Sequence, residues 1–296
     1  MGLDRTLDLV CVSYLADTQL LRVTSYPPPN GGAVVNDLAN ALAADGPIAA
    51  MTAARLGLRV GLIANAVGSD AAGQRMLDRL ALDGIRHTIA VIDITTPQMT
   101  VIADDSGART WFARLQQACD DLRSVNLHLL TDARLVYVDC YQVLTPAAVR
   151  AVAAARAPLL LNLGGDPLDE RIAAAAADQQ VTAVQTSLDE ADAADAEALA
   201  TDLLARLHPA AAVVTLGRLG AIACTASGIH RAAAPPVAVA HTHGAGAAFS
   251  AGYAHAWLNG ADIGAALNAA CHAGATHCAN SATVPLGRTT TALAAS

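Results

Sequence analysis

His241-Thr242-His243-Gly244-Ala245-Gly246-Ala247-Ala248-Phe249 has the form of a glycine loop that runs directly into a helix. Gly244 and Gly246 lack a Cβ, so the backbone N–H groups around them can approach an anion closely. The following helix adds the unpaired donors of its first turn and the positive end of its dipole, a combination that suits a phosphate. Phe249, Tyr253, Ala256 and Trp257 recur at helical spacing, which predicts an amphipathic helix, and Asn259-Gly260 supplies its stop. Glycines before a helix also serve purely steric needs, so the loop is read together with the rest of the chain.

Outward from that loop, strands alternate with helices. Leu7 to Ser13 reads as a buried strand, Pro47 to Leu56 as a helix, Arg59 to Ala64 as a strand and Gly73 to Leu82 as a helix closed by Gly84. The pattern resumes with strand Leu135 to Val138, helix Pro146 to Ala157, strand Leu159 to Leu163, helix Asp189 to Leu207 and strand Ala211 to Leu216. Such alternation predicts an α/β fold whose parallel sheet is crossed by helices, with the glycine loop at a strand's carboxyl end, where open α/β sheets bind ligands. Gln19 to Ala44 and Ile89 to Arg114 interrupt the alternation. The second carries strand-like runs at Ile89 to Val91 and Met99 to Ala103, which suggest a small β flap. In the first, Pro27-Pro28-Pro29-Asn30-Gly31-Gly32 and the helix-favouring Asp37 to Ala44 leave a flap strand in doubt and predict a reduced flap.

At 296 residues, 54% hydrophobic and 15% charged, the chain is long enough for one large core. A net charge of −8 without a basic cluster argues against nucleic acid or an anionic membrane as the principal partner and leaves a small molecule. Asp4, Arg5 and Asp8 interrupt the first residues, so no secretory leader is expected there, nor a membrane span elsewhere, and a cytoplasmic protein is the expectation. The six cysteines show no C-x-x-C spacing and read as reduced, buried thiols.

The opening stretch resembles the second signature of the ribokinase-like (phosphofructokinase B) carbohydrate kinases, D-T-x-G-A-G-D-x-F, with Thr242, Gly244, Ala245, Gly246 and Phe249 in place. Ala54-Arg55-Leu56-Gly57 followed by Gly68-Ser69-Asp70-Ala71-Ala72-Gly73 is similar to the family's first signature, and Val213 to Ala221 to its V-V-T-L-G-x-x-G segment. The resemblance implies a single ribokinase-like three-layer sandwich over residues 1–296, with a central, mostly parallel sheet and lid segments at about 14–45 and 88–115. It also implies ATP and Mg2+ as cofactors, a sugar, nucleoside or nucleotide as small-molecule partner, and a homodimer through the lid.

Carried over residue by residue, the resemblance makes Gly244, Ala245 and Gly246 the anion hole, places Thr215, Gly217, Gly220 and Thr242 at the nucleotide and Asp17 at the substrate, where Gly46-Pro47 takes over the substrate turn if the spacing has slipped. It also puts Ala247 where the family keeps its catalytic Asp. Alanine accepts no proton, and loss of a general base costs about 10²–10⁴-fold in rate. His241, His243 and Asp17 are the candidate replacements. His243 reads more simply as a solvent-facing loop residue, and His241, standing where the family has its first Asp, opposes Mg2+ rather than assisting it. Asp17 reads equally as a helix cap or turn residue.

In the family's magnesium region, N-x-x-E, this chain has Ser187-Leu188-Asp189-Glu190, so that Glu190 supports a metal or forms a capping box with Ser187. Ala43-Ala44 stand at the family's substrate glycines and Ile48 at its sugar-binding Asn, and an apolar Ile48 leaves sugar hydroxyls unpaired. Cys271-His272 and His277-Cys278 near His241 and His243 raise zinc, but cysteines seven residues apart on an alanine-rich helix are what a packed face produces.

The expected function is therefore a carbohydrate or nucleoside kinase-like protein with impaired or lost transfer. The alternative is a pseudokinase that binds a nucleotide or phosphorylated metabolite as a regulator or partner subunit. Departures at His241, Ile48 and Ser187 argue against an isolated engineered change at Ala247.

Overall fold

The computed structural model describes residues 6–105 and 109–280. In chain order the elements begin with β1 (Leu7–Val12), β2 (Ala16–Arg22), β3 (Asp37–Ala43), α1 (Asp45–Arg55), β4 (Val60–Ile63), β5 (Val67–Gly68), α2 (Ala71–Leu82), β6 (Arg86–His87), β7 (Val91–Ile92), β8 (Gln98–Ala103), β9 (Arg109–Arg114) and α3 (Gln116–Leu122). They continue with β10 (Ala133–Asp139), α4 (Thr145–Ala154), β11 (Leu159–Asn162), α5 (Glu170–Ala176), β12 (Val181–Ser187), α6 (Ala196–Leu207), β13 (Ala211–Thr215), β14 (Ala221–Thr225), β15 (Gly228–Ala232), α7 (Ala245–Leu258) and α8 (Ile263–Ala279).

Nine strands form the main sheet in the order β15-β14-β13-β12-β11-β10-β1-β4-β6. The run from β13 to β6 pairs in parallel, and β14 and β15 add an antiparallel edge. Strand residues alternate between two apolar layers as the period of two requires. Leu9, Cys11, Leu135 and Tyr137 pack with α1, α2, α7 and α8, whereas Val10, Val12, Val136 and Val138 pack with α4, α5 and α6. Burial on both faces explains why these strands read as continuous apolar runs.

The flap expected to be reduced is a four-stranded sheet, β3-β2-β8-β9. The helix-favouring stretch Asp37 to Ala44 is strand β3 instead, paired along its length with β2 from Ala16↔Ala43 to Arg22↔Asp37. Cross-strand pairing and cover from Met99 and Val101 outweigh local alanine and leucine propensity here. Two other expectations change. The Asp189 to Leu207 segment begins as a 3₁₀ turn, Glu190–Asp195, before α6. Helix α7 is not amphipathic: it is buried on nearly all sides against α1 and α8, which suits its run of small apolar residues.

The Gly68-Ser69-Asp70-Ala71-Ala72-Gly73 stretch shows why that spacing exists. Asp70 caps α2 by accepting from the Gly73 N–H at 2.8 Å. A Cβ on Gly73 would sit 2.1 Å from the Gly68 carbonyl oxygen, and one on Gly68 would sit 2.2 Å from that of Ile94, so glycine is required at both positions.

Candidate functional site

The carboxyl ends of the parallel strands meet at one edge of the sheet, and the loop into α7 lies over them. Gly244 is buried with φ +76°, and a Cβ there would approach Ile48 Cδ1 to 2.8 Å and His277 Nε2 to 3.1 Å. Only glycine tolerates both the left-handed backbone and that closeness. Among the described residues, the N–H groups of Gly246 and Ala247 find no backbone acceptor, as the first turn of a helix requires. The loop is braced from below by Gln185 of β12, whose Nε2 donates to the Gly246 carbonyl at 3.2 Å while its Oε1 accepts from Ser250 Oγ at 2.7 Å.

The loop is also tied to both edge strands of the smaller sheet. His243 Nε2 lies 3.0 Å from the Leu42 carbonyl oxygen on β3, and Arg109 Nη1 of β9 donates to the Thr242 carbonyl at 3.1 Å. His243 is therefore not a solvent-facing loop residue. Its ring is partly buried and its pKa is lowered by burial.

Beneath the loop lies a polar network that the sequence reading did not anticipate. Asp139, at the end of β10 and 1% exposed, accepts from Ser13 Oγ at 2.5 Å and the Gly46 N–H at 2.8 Å through one oxygen. Its other oxygen accepts from Tyr137 Oη at 2.7 Å and Asn162 Nδ2 at 2.9 Å. The Asn162 amide also reaches Asp45 Oδ2 at 3.1 Å. Burial, then the neighbouring Asp45 charge, push the Asp139 carboxyl above the usual carboxylate range, against the hydrogen bonds that favour its ionised form. The warning in the sequence was an Asp directly closing the apolar run Leu135 to Val138. Gln185 and Arg109 carried no such signal.

A profile of pfkB family carbohydrate kinases matches residues 48–286. The chain belongs to that family. A nucleoside kinase of Methanothermobacter thermautotrophicus is 28% identical over 136 residues, 42% of this chain and 44% of that protein, so the match spans under half of that relative's length. The fold is similar to that of the ribokinase of Thermotoga maritima, with 15% identity, 94% and 96% of the two chains covered and a TM-score of 0.75. It is also similar to the Arabidopsis thaliana ribokinase solved with ribose and ATP, at 18% identity, 94% and 96% coverage and a TM-score of 0.71.

Within this pfkB chain, the position that the resemblance assigns to the base is Ala247, fully buried among apolar neighbours. Asp17 is neither a helix cap nor a turn residue: it lies on β2, buried, with Oδ2 accepting from Arg75 Nη2 at 3.0 Å. Its Oδ1 has no partner among the described residues, and burial raises its pKa against the opposing Arg75 charge. Gly46, in the first turn of α1, is fixed by its bond to Asp139.

The capping box does not form, because Ser187 Oγ donates to the Gly164 carbonyl at 2.7 Å. Glu190 instead accepts from the Arg218 N–H at 2.9 Å and pairs with Arg218 Nε at 2.5 Å, which holds the turn between Gly217 and Gly220. Thr215 Oγ1 donates to the Thr186 carbonyl at 3.3 Å.

The donor set does not fit Mg2+. Glu190 is committed to an arginine, Ser187 donates to a carbonyl, and His241 stands where the motif has an acid. A phosphate does fit, at the open first turn of α7. Among the described residues, no group of three or more His, Cys, Asp or Glu side chains is placed to hold a metal ion, and no helix is long and apolar enough to cross a membrane.

Proposed function

We propose that this protein is a carbohydrate or nucleoside kinase of the pfkB family that binds the phosphates of ATP or ADP and has impaired or lost phosphoryl transfer. The observation that carries the reading is the α7 entry: an open N–H cradle at Gly244 to Gly246 followed by a buried Ala247. Phosphoryl transfer relies on positioning and on donors aimed at phosphate oxygens, which the cradle supplies. It also needs a group to take the acceptor's proton, and Ala247 has none.

In this reading Gly244, Ala245 and Gly246 hold phosphate. Thr215, Gly217, Gly220 and Thr242 border the nucleotide, while Asp17 and Gly46 border the acceptor. ATP supplies the transferable phosphoryl group when bound.

The saturated state of Asp139 favours the non-catalytic form, in which the protein binds a nucleotide or phosphorylated metabolite as a regulator or partner subunit. Four donors already occupy that carboxylate, and Ile48 adds an apolar side chain beside the loop.

Calorimetric titration with ATP and ADP, with and without Mg2+, tests the reading, followed by a transfer screen over sugars and nucleosides. Micromolar binding that Mg2+ changes by less than about threefold is expected, since no residue set here fits the ion. Absence of binding by both nucleotides would overturn the phosphate reading. Rapid turnover of any sugar or nucleoside would overturn the impairment.

A further inference from the structure

Arg109 opens β9 at the edge of the smaller sheet, is exposed, and lies 133 residues before Thr242 in sequence, yet its guanidinium rests on the Thr242 carbonyl. The contact places a fixed positive charge two residues from Gly244. We infer that Arg109 is a binding residue that leaves this carbonyl to bind the γ-phosphate of a nucleoside triphosphate held by the Gly244–Gly246 loop. The inference rests on the phosphate reading of that loop and names the charge that completes it.

Three observations support it. The chain contains no lysine, so a side-chain cation permanent at neutral pH must be an arginine. The histidines around the loop do not compete for the role, because burial lowers the pKa of His241, His243 and His277 and leaves them neutral.

Arg109 is also held by a neutral acceptor alone, the Thr242 carbonyl. No ion pair among the described residues includes it, whereas Arg55, Arg75 and Arg218 are each paired with a carboxylate. A guanidinium has five N–H donors, and a neutral carbonyl is a weaker acceptor than a phosphate oxygen, so exchange of one for the other is favourable.

The sequence change in the loop fits this role. With His241 and Ala247 at the two acidic positions of the signature, no carboxylate within the loop competes for the guanidinium. Asp45 is the acid that acts on His243 electrostatically, and it is hydrogen-bonded to Asn162. Because Arg109 is carried by the smaller sheet, its engagement also fixes that sheet over the bound phosphate.

The test compares wild-type protein with Arg109→Gln and Arg109→Lys by calorimetry in EDTA, with ATP, ADP and adenosine as probes. Arg109→Gln is expected to weaken ATP about tenfold or more, ADP by less than about threefold and adenosine not at all, with Arg109→Lys intermediate for ATP. Unchanged ATP affinity in Arg109→Gln would overturn the inference while leaving the loop reading intact. So would an equal loss for all three probes, which marks a structural role. Wild-type protein that binds neither nucleotide would overturn both.

Discussion

His243 Nε2 lies 3.0 Å from the carbonyl oxygen of Leu42, joining the phosphate-loop candidate to the smaller sheet by a bond between residues 201 positions apart. The carbonyl of the same His243 accepts from His277 Nε2 of α8 at 2.9 Å. One loop residue thus ties β3 to α8. The second bond needs a proton on His277 Nε2, which the neutral imidazole provides, so the tie does not require charge.

From that arrangement follows a pH dependence. Burial, reinforced by His241, His243 and Arg55, depresses the His277 pKa from 6.5 to about 4, against the bond to His243 that raises it. A depressed folded-state pKa means that the unfolded chain binds more protons between pH 6.5 and about 4, so stability falls as pH drops through that window. The contribution is roughly 3 kcal/mol. His277→Gln keeps a donor for the His243 carbonyl and cannot titrate. Its unfolding free energy in urea should therefore fall less from pH 6.5 to 4 than that of wild type; parallel curves would remove His277 as the cause.

Asp139 gives the opposite sign. Its carboxyl is raised by burial and by Asp45, so it contributes most at low pH and the contribution is lost as pH rises from about 4 towards neutrality. Asp139→Asn should flatten that loss. Asp139→Ala is a different experiment, because it strands the Gly46 N–H, which cannot turn into an acceptor, and leaves the Ser13 and Tyr137 hydroxyls to find new acceptors, while the Asn162 amide keeps its bond to Asp45. A cost of about 1–3 kcal/mol for the stranded donor is expected across the pH range, read from denaturant midpoints. An Asp139→Ala protein as stable as wild type would show that water or rearrangement satisfies that donor.

The main sheet was legible because its strands are buried on both faces: runs such as Leu7 to Ser13 and Ala211 to Leu216 have no other use. The glycine signatures were legible for a steric reason that the structure makes explicit at Gly68, Gly73 and Gly244. Strand β3 was not, because Asp37-Leu38-Ala39-Asn40-Ala41-Leu42-Ala43 favours a helix locally and becomes a strand only through its pairing with β2. Glu190 was misread for a similar reason. A Ser-x-x-Glu spacing is local, whereas its partner Arg218 lies 28 residues away across a turn. Asp139, Gln185 and Arg109 do their work through contacts with distant parts of the chain, and no short pattern announces such contacts.

The same distinction decides what Ala247→Asp will do. The signature alone suggests that this one change restores a base, but Ala247 is fully covered and its neighbours form the apolar layer shared with α1 and α8. An added carboxylate must be buried there, and an uncompensated buried charge costs on the order of 2–5 kcal/mol, partly offset by the α7 dipole. The acceptor side would be unchanged: Asp139 remains saturated and Ile48 remains apolar. The metal region would also be unchanged, with Glu190 still held by Arg218. We therefore expect Ala247→Asp to lower the melting temperature and to leave ADP release from ATP at background over a panel of sugars and nucleosides. Robust phosphorylation of one of them by this single variant would mean that the missing base is the whole of the defect, and that Ile48 and the Asp139 network accommodate the acceptor after all.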